Sequence, residues 1–236
     1  MAAPTLIVDQ ETVWNTTTSP KNTANLTTQA SDILCVVGGS ENNATQLNTP
    51  TGNSLTYSLQ QSILITDYAT AYAWTTGNTG AATFAVNDTK VSGSGWWGIN
   101  ALQFRGSDGV GASSKANVSG AAPTLNITTT QDNSAIVVLV TDWNATDGTT
   151  RTWRSVNGSA ATELSYFRDS ATWTIYVGYH PDAGTAGSKT VGLSLPTNQK
   201  YSIIAVEIKG TAGGGVAPPE LVIPTPSRSR WRRQWR

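Results

Sequence analysis

Apolar positions along this chain come in short runs. Segments of four to eleven residues rich in Val, Ile, Thr, Tyr and Trp recur at roughly ten- to fifteen-residue intervals, separated by Gly, Asn, Pro and Asp. That spacing suits a β-sandwich. No window places its apolar residues at helical spacing. The pattern predicts strands over 25–28, 33–38, 55–65, 71–76, 82–86 and 97–104. A second set follows over 125–129, 135–141, 152–156, 162–167, 172–179, 189–195 and 201–208. Six of the ten prolines (Pro4, Pro20, Pro50, Pro123, Pro181 and Pro196) fall between these segments, and the other four lie near the C-terminus.

The two sets resemble each other. Ile33–Val37 matches Ile136–Val140, Tyr72-Ala73-Trp74 matches Tyr176-Val177-Gly178, and Ile99–Gly106 matches Ile203–Gly210, at offsets of 103–104 residues. This is an internal duplication. It makes pseudo-repeats of about 20–106 and 123–210 within a body spanning 1–212. The intervening Ser107–Ala122 is rich in Gly, Ser and Ala and reads as a loop crossing an open surface. Either two small sandwiches lie in tandem or the halves complete one larger sandwich. Leu34, Val36, Val138 and Val140 should share one parity in the duplicated strand and be buried.

The strand order is a familiar one. ILCVVGG, TPTGNSLTYSLQQS, AYAWTT, ATFAVND and WWGINALQFRG, followed by LNITTTQDNSAIVVLVT and KYSIIAVEIKG, together resemble the duplicated jelly-roll-like β-sandwich proteins of actinobacteria and their tailed phages. The resemblance spans about residues 20–210. It implies an all-β, jelly-roll-like sandwich serving as a surface or virion module, assembled in the host cytoplasm. The implied role is a head decoration or minor capsid protein. A minor tail protein and a carbohydrate-binding module for host-surface adhesion are the alternatives.

Composition narrows the chemistry. Charged residues make up 13% of the 236 residues, against a usual ~25%, and Thr alone fills 36 positions. The surface should therefore be hydroxyl and amide rather than charge. Cys35 is the lone cysteine, so no internal disulfide forms, and its setting in Ile33–Val37 predicts a buried, inert thiol. With His180 the lone histidine, a zinc site built on two or more histidines is excluded. The longest apolar run, Ile136–Val140, is far below the ~20 residues of a membrane helix. The eight Asn-X-Ser/Thr triplets follow no visible secretion signal and read as compositional.

Catalytic signatures are sparse. His180 sits in Tyr179–Gly184, a turn by composition, and no Gly-X-Ser-X-Gly elbow accompanies it. Asp142, Asp147, Glu163 and Asp169 could supply the opposed carboxylates of a glycosidase, yet acids on turns are usually solvated. Asp142–Gly148 has a few oxygen ligands of a calcium loop but lacks its alternating acids and distal Glu. No metal, cofactor or catalytic residue is assigned. Among the body tryptophans, Trp96 and Trp97 must face opposite ways. One of them belongs to the core, with Trp74 and Trp173. Trp143, in a turn, is the candidate exposed aromatic.

The tail is the most distinctive segment. Residues 228–236 hold five of the fifteen basic residues and no acid, so the rest of the chain carries a net charge of −5. In the arm 213–236, a Gly run precedes prolines that deny helix and central strand, so the arm should run extended. Leu221, Val222 and Ile223 then offer apolar contact. Arg228, Arg230, Trp231, Arg232, Arg233, Trp235 and Arg236 combine the residue types that dominate contact hot spots. These ten residues are the candidate partner-binding set, aimed at another virion protein such as a major capsid or tail protein. Basic and aromatic residues also suit anionic lipid and phosphate. The acidic excess of the body confines any nucleic-acid contact to the tail. A cell-surface glycan and a second copy of the chain are the other candidate partners.

Overall fold

The computed structural model describes residues 2–144, 150–169 and 173–212. Among them every regular element is a strand, and no helix is long and apolar enough to cross a membrane. Two five-stranded antiparallel sheets form the frame. The first runs in the order β1 (Thr5–Glu11), β11 (Trp97–Arg105), β4 (Ile33–Ser40), β7 (Thr70–Thr76) and β6 (Tyr57–Ile63). The second runs β12 (Val110–Ala121), β21 (Gln199–Ile208), β14 (Ala135–Asp142), β19 (Thr174–His180) and β18 (Thr162–Arg168). The two orders are the same order of equivalent strands.

Each large sheet carries an outer layer of shorter strands. In the first half these are the pairs β2 (Lys21–Asn22) with β9 (Asn87–Asp88), β3 (Leu26–Thr28) with β8 (Ala82–Phe84), and β5 (Gln46–Leu47) with β10 (Lys90–Ser92). In the second half β20 (Gly187–Leu195) lies between β13 (Thr124–Thr129) and β15 (Thr152–Trp153), beside the hairpin of β16 (Ser155–Val156) and β17 (Ser159–Ala160). The chain is thus a duplicated β-sandwich.

Three cores result. Leu34 and Val36 point into the outer core of the first half, with Trp74, Trp97 and Ile99. Val138 and Val140 point into the outer core of the second half, with Tyr176, Val191 and Ile203. The intervening side chains, Cys35 and Val37 in β4 and Val137 and Leu139 in β14, meet in a central core between the two large sheets. Both faces of β4 and β14 are therefore covered, and all eight residues of each strand are buried. This is why these antiparallel strands read as unbroken apolar runs rather than alternations. Cys35 lies in the central core, and burial pushes its thiol up to about 12. The thiol is inert.

The ladders fix the duplication residue by residue. Val36 pairs with Ala101 and Trp74, and Val138 with Ala205 and Gly178. Ile33 therefore corresponds to Ala135, not Ile136, so the expected match for this strand is one residue out of register. Bulges recur too. One sits between Leu59 and Gln61 in β6 and another between Glu163 and Ser165 in β18, at corresponding positions.

The segment 107–122 departs from the expected loop. Residues Val110–Ala121 are the long edge strand β12, paired with β21. Its many Gly, Ala and Ser residues conceal it, because an edge strand needs little apolar surface. β1, absent from the predicted set, occupies the equivalent edge of the first sheet. Each half thus begins one strand earlier than its pseudo-repeat.

Candidate functional site

The ten partner-binding residues of the arm, Leu221, Val222, Ile223, Arg228, Arg230, Trp231, Arg232, Arg233, Trp235 and Arg236, lie outside the described residues. The root of the arm is described. β21 ends at Ile208, the Lys209 amide donates to Gly109 O at 2.9 Å, and the Thr211 amide donates to Ala2 O at 3.0 Å. The Ala212 amide donates to the Asp108 carboxylate. Those bonds hold the exit of the arm against the start of β12 and the N-terminal strand region.

Trp143 is half-buried, contrary to the exposure expected of a turn residue. Its amide donates to Lys200 O at 2.8 Å, which draws the segment after β14 against the central core. Lys200 Nζ lies 5.9 Å from its ring. Trp74, Trp97 and Trp173 are buried as expected, Trp14 is buried too, and Trp96 and Trp153 are half-buried. None of the seven body tryptophans is fully exposed, and Trp96, Trp143 and Trp153 keep part of their surface in solvent.

His180 is also corrected. It ends strand β19 rather than lying in a turn, and neither ring nitrogen has a hydrogen-bond partner. Burial pushes its pKa down to about 4, so the ring is neutral. Of the four candidate acids, Asp147 falls outside the described residues and Asp169 follows β18 at its end. Asp142 and Glu163 belong to strands of one sheet, but their settings differ. Asp142 is fully buried, and burial raises its pKa to about 7 against the pull of the Asn144 and Lys200 amides. Desolvation opposes charge on Glu163 as well, yet the Arg151 hydrogen bonds, aided by Trp153 Nε1 at 2.9 Å, outweigh it and hold the carboxyl below its ordinary range. Arg151 in turn lies 3.8 Å over the Tyr166 ring. Glu163 is an ion-paired packing group, and a fully buried Asp142 offers no surface to a substrate. Among the described residues no cluster of three His, Cys, Asp or Glu side chains could hold a metal ion.

The sequence reading missed a different feature, the two seams where edge strands of the large sheets face each other. At one seam β1 meets β18. Glu11 Oε2 accepts from Trp14 Nε1 at 3.1 Å and from Ser165 Oγ at 2.5 Å, tying the first half to the second. Trp14 can lie there because its neighbour is Gly98, where a Cβ would come within 2.5 Å of the indole. A cleft of about 350 Å³ opens beside it, lined by Trp14, Asn15, Tyr166 and Phe167.

At the other seam β6 meets β12. Gln61 Nε2 donates to Ser113 Oγ at 2.9 Å and Lys115 Nζ to Ser62 O at 2.8 Å. A cleft of about 390 Å³ is lined by Ile63, Leu64, Ile65, Lys115 and Ala116. Duplication relates the seams: Glu11 pairs with Asn100 and Lys115 with Ile204, equivalent positions carrying opposite charges. Because each seam joins strands distant in sequence, no local motif could have signalled it.

No family model matches this chain, and no curated protein or solved structure matches it either.

Proposed function

We propose that this chain is a non-enzymatic structural protein of a tailed-phage virion, a head decoration or minor capsid protein anchored through its arm 213–236. The observation that carries the reading is how the described body closes on itself. Both large sheets and all three cores are built from residues before 209, and hydrogen bonds close the body at Thr211 and Ala212. The 24 residues that follow in the sequence concentrate Arg and Trp, the residue types of contact hot spots. A low-charge, Thr-rich body suits display on a particle. The resemblance of the strand order to phage and actinobacterial sandwiches points the same way.

The test compares the full chain with a 1–212 variant in cells producing particles. The variant should keep its melting temperature and be missing from purified particles. A copy number repeating that of the shell lattice supports decoration, and a handful of copies per particle moves the protein to the tail. Unfolding of the truncated body, or its normal incorporation, refutes the anchor.

A further inference from the structure

We infer that the two seams are complementary faces of one self-association surface, the β1–β18 seam of one copy docking on the β6–β12 seam of another. The inference is independent of the arm. Its first support is the distribution of exposed apolar side chains. The described body exposes eight large ones, and six of them, Ile7, Val13, Leu59, Leu64, Ile65 and Val118, lie on or within two residues of β1, β6 and β12. Val13 is 64% exposed and Leu59 54%. Scattered single residues need no explanation, but concentration along sheet edges marks a contact surface.

The second support is the open edges. β1, β6, β12 and β18 each pair on one side only among the described strands, leaving rows of backbone donors and acceptors that proteins ordinarily cover or blunt. Charges stand on these edges, among them Glu11 on β1 and Lys115 on β12.

Charge selects a second copy as the occupant. Each seam presents two sheet edges side by side, with β6 and β12 closer together than β1 and β18. Glu11 and Lys115 occupy duplicated positions on the inward faces of β1 and β12, so docking seam on seam brings opposite charges to corresponding places. Asp9, close enough to Glu11 to interact with it, adds to the acidic side. Asp67, beyond Ile65, and Asp108, before β12, are acids near the basic side, and Arg168 at the end of β18 is a base on the acidic side. Like seams would instead meet acid on acid or base on base. The apolar side chains supply affinity and the charges select the pairing. Because unlike faces join, the contact is head-to-tail and builds a ring or an open row.

Sedimentation velocity of the full chain across the micromolar range reads this directly. The wild-type chain should associate with rising concentration. V13D, and separately L64D/I65D, should each weaken association by about ten-fold or more while retaining the wild-type melting temperature, since all three side chains are exposed. Mixed in equal amounts, the two variants should form a heterodimer and nothing larger, because each keeps one working seam. A monomeric wild type overturns the inference, as does undiminished association of V13D, which would mean that like seams pair. Association that appears or disappears on removing 213–236 makes the arm the occupant and overturns it too. Association unchanged by that truncation supports it, whatever the truncation does to particle incorporation.

Discussion

Asp88 and Asp142 are carboxylates that the fold buries without a counter-ion. Each accepts a backbone amide at Oδ1, from Thr89 and Asn144, while its Oδ2 has no partner. Lys21 sits opposite Asp88 in the β2–β9 ladder, but it spends its ammonium on the carbonyls of Val13 and Trp97. Burial therefore raises Asp88 to about 8 and Asp142 to about 7. In this range the folded state holds protons that the unfolded chain releases, so stability is greatest below the ordinary carboxylate pKa and falls as pH rises towards 8. His180, pushed down to about 4, acts oppositely: it adds stability as pH rises from about 4 to its ordinary 6.5. Two carboxylates outweigh one imidazole. The body should melt lower at pH 8 than near pH 4 from these groups. Asp142→Asn, which keeps the acceptor for Asn144 and removes the charge, should raise the melting temperature at pH 8 and leave it nearly unchanged near pH 4. A variant that melts below the wild type at pH 8 would remove Asp142 as the cause.

At the scale of the element, duplicated strands have solved one packing problem in two ways. Trp74 of β7 fills the outer core of the first half and stacks on Tyr72 with ring centroids 5.1 Å apart. Its counterpart in β19 is Gly178, and there the indole comes from Trp153 of β15, so that a Cβ on Gly178 would stand 2.8 Å from Cη2. Gly178→Ala should displace that indole and cost ~1–3 kcal/mol, the usual penalty of overpacking. It should also move the tryptophan emission. Gly77→Ala, where nothing lies within 4 Å of the added carbon, should do neither. Strands such as β4, β14 and β21 were legible because burial on both faces demands Val, Ile and Leu at nearly every position. That same uniformity hid their register, since every one-residue shift of Ile33–Val37 against Ala135–Val140 still sets apolar on apolar. β1 escaped for another reason. The shift between Leu6 and Val8 breaks the alternation, sending Leu6 to the central core and Val8 to the outer one while Ile7 stays outside. Local composition around Trp143 says turn, whereas Lys200 decides its position from 57 residues away in sequence.

For the whole molecule, the central core governs whether the halves are separable. Among the described residues eighteen buried side chains form it, nine from each half. The contributions are unequal in size. β7 offers Ala71 and Ala73, with Ala69 just before it, while the equivalent positions in the second half carry Trp173, Ile175 and Val177. The small side chains let β7 approach the second sheet, where Ser202 Oγ donates to Ala69 O at 2.9 Å. The large ones fill the space against Leu102 and Phe104, and Trp14 crosses over to meet Trp173 edge-on at 6.3 Å. Neither half is complementary to a copy of itself: two first halves would leave a void opposite the alanines, and two second halves would collide at tryptophan. Cutting the chain in the turn between Arg105 and Val110 should therefore yield fragments that aggregate or remain unfolded when made singly, because each exposes the inner face of a five-stranded sheet to water. Produced together, they should recover a complex with the circular dichroism and tryptophan emission of the intact body. Association restricted to unlike fragments, read by co-purification of differently tagged halves, is the expected result. A soluble, cooperatively melting first half would show that its own outer core suffices, and the central core would then be a docking interface between two independent sandwiches.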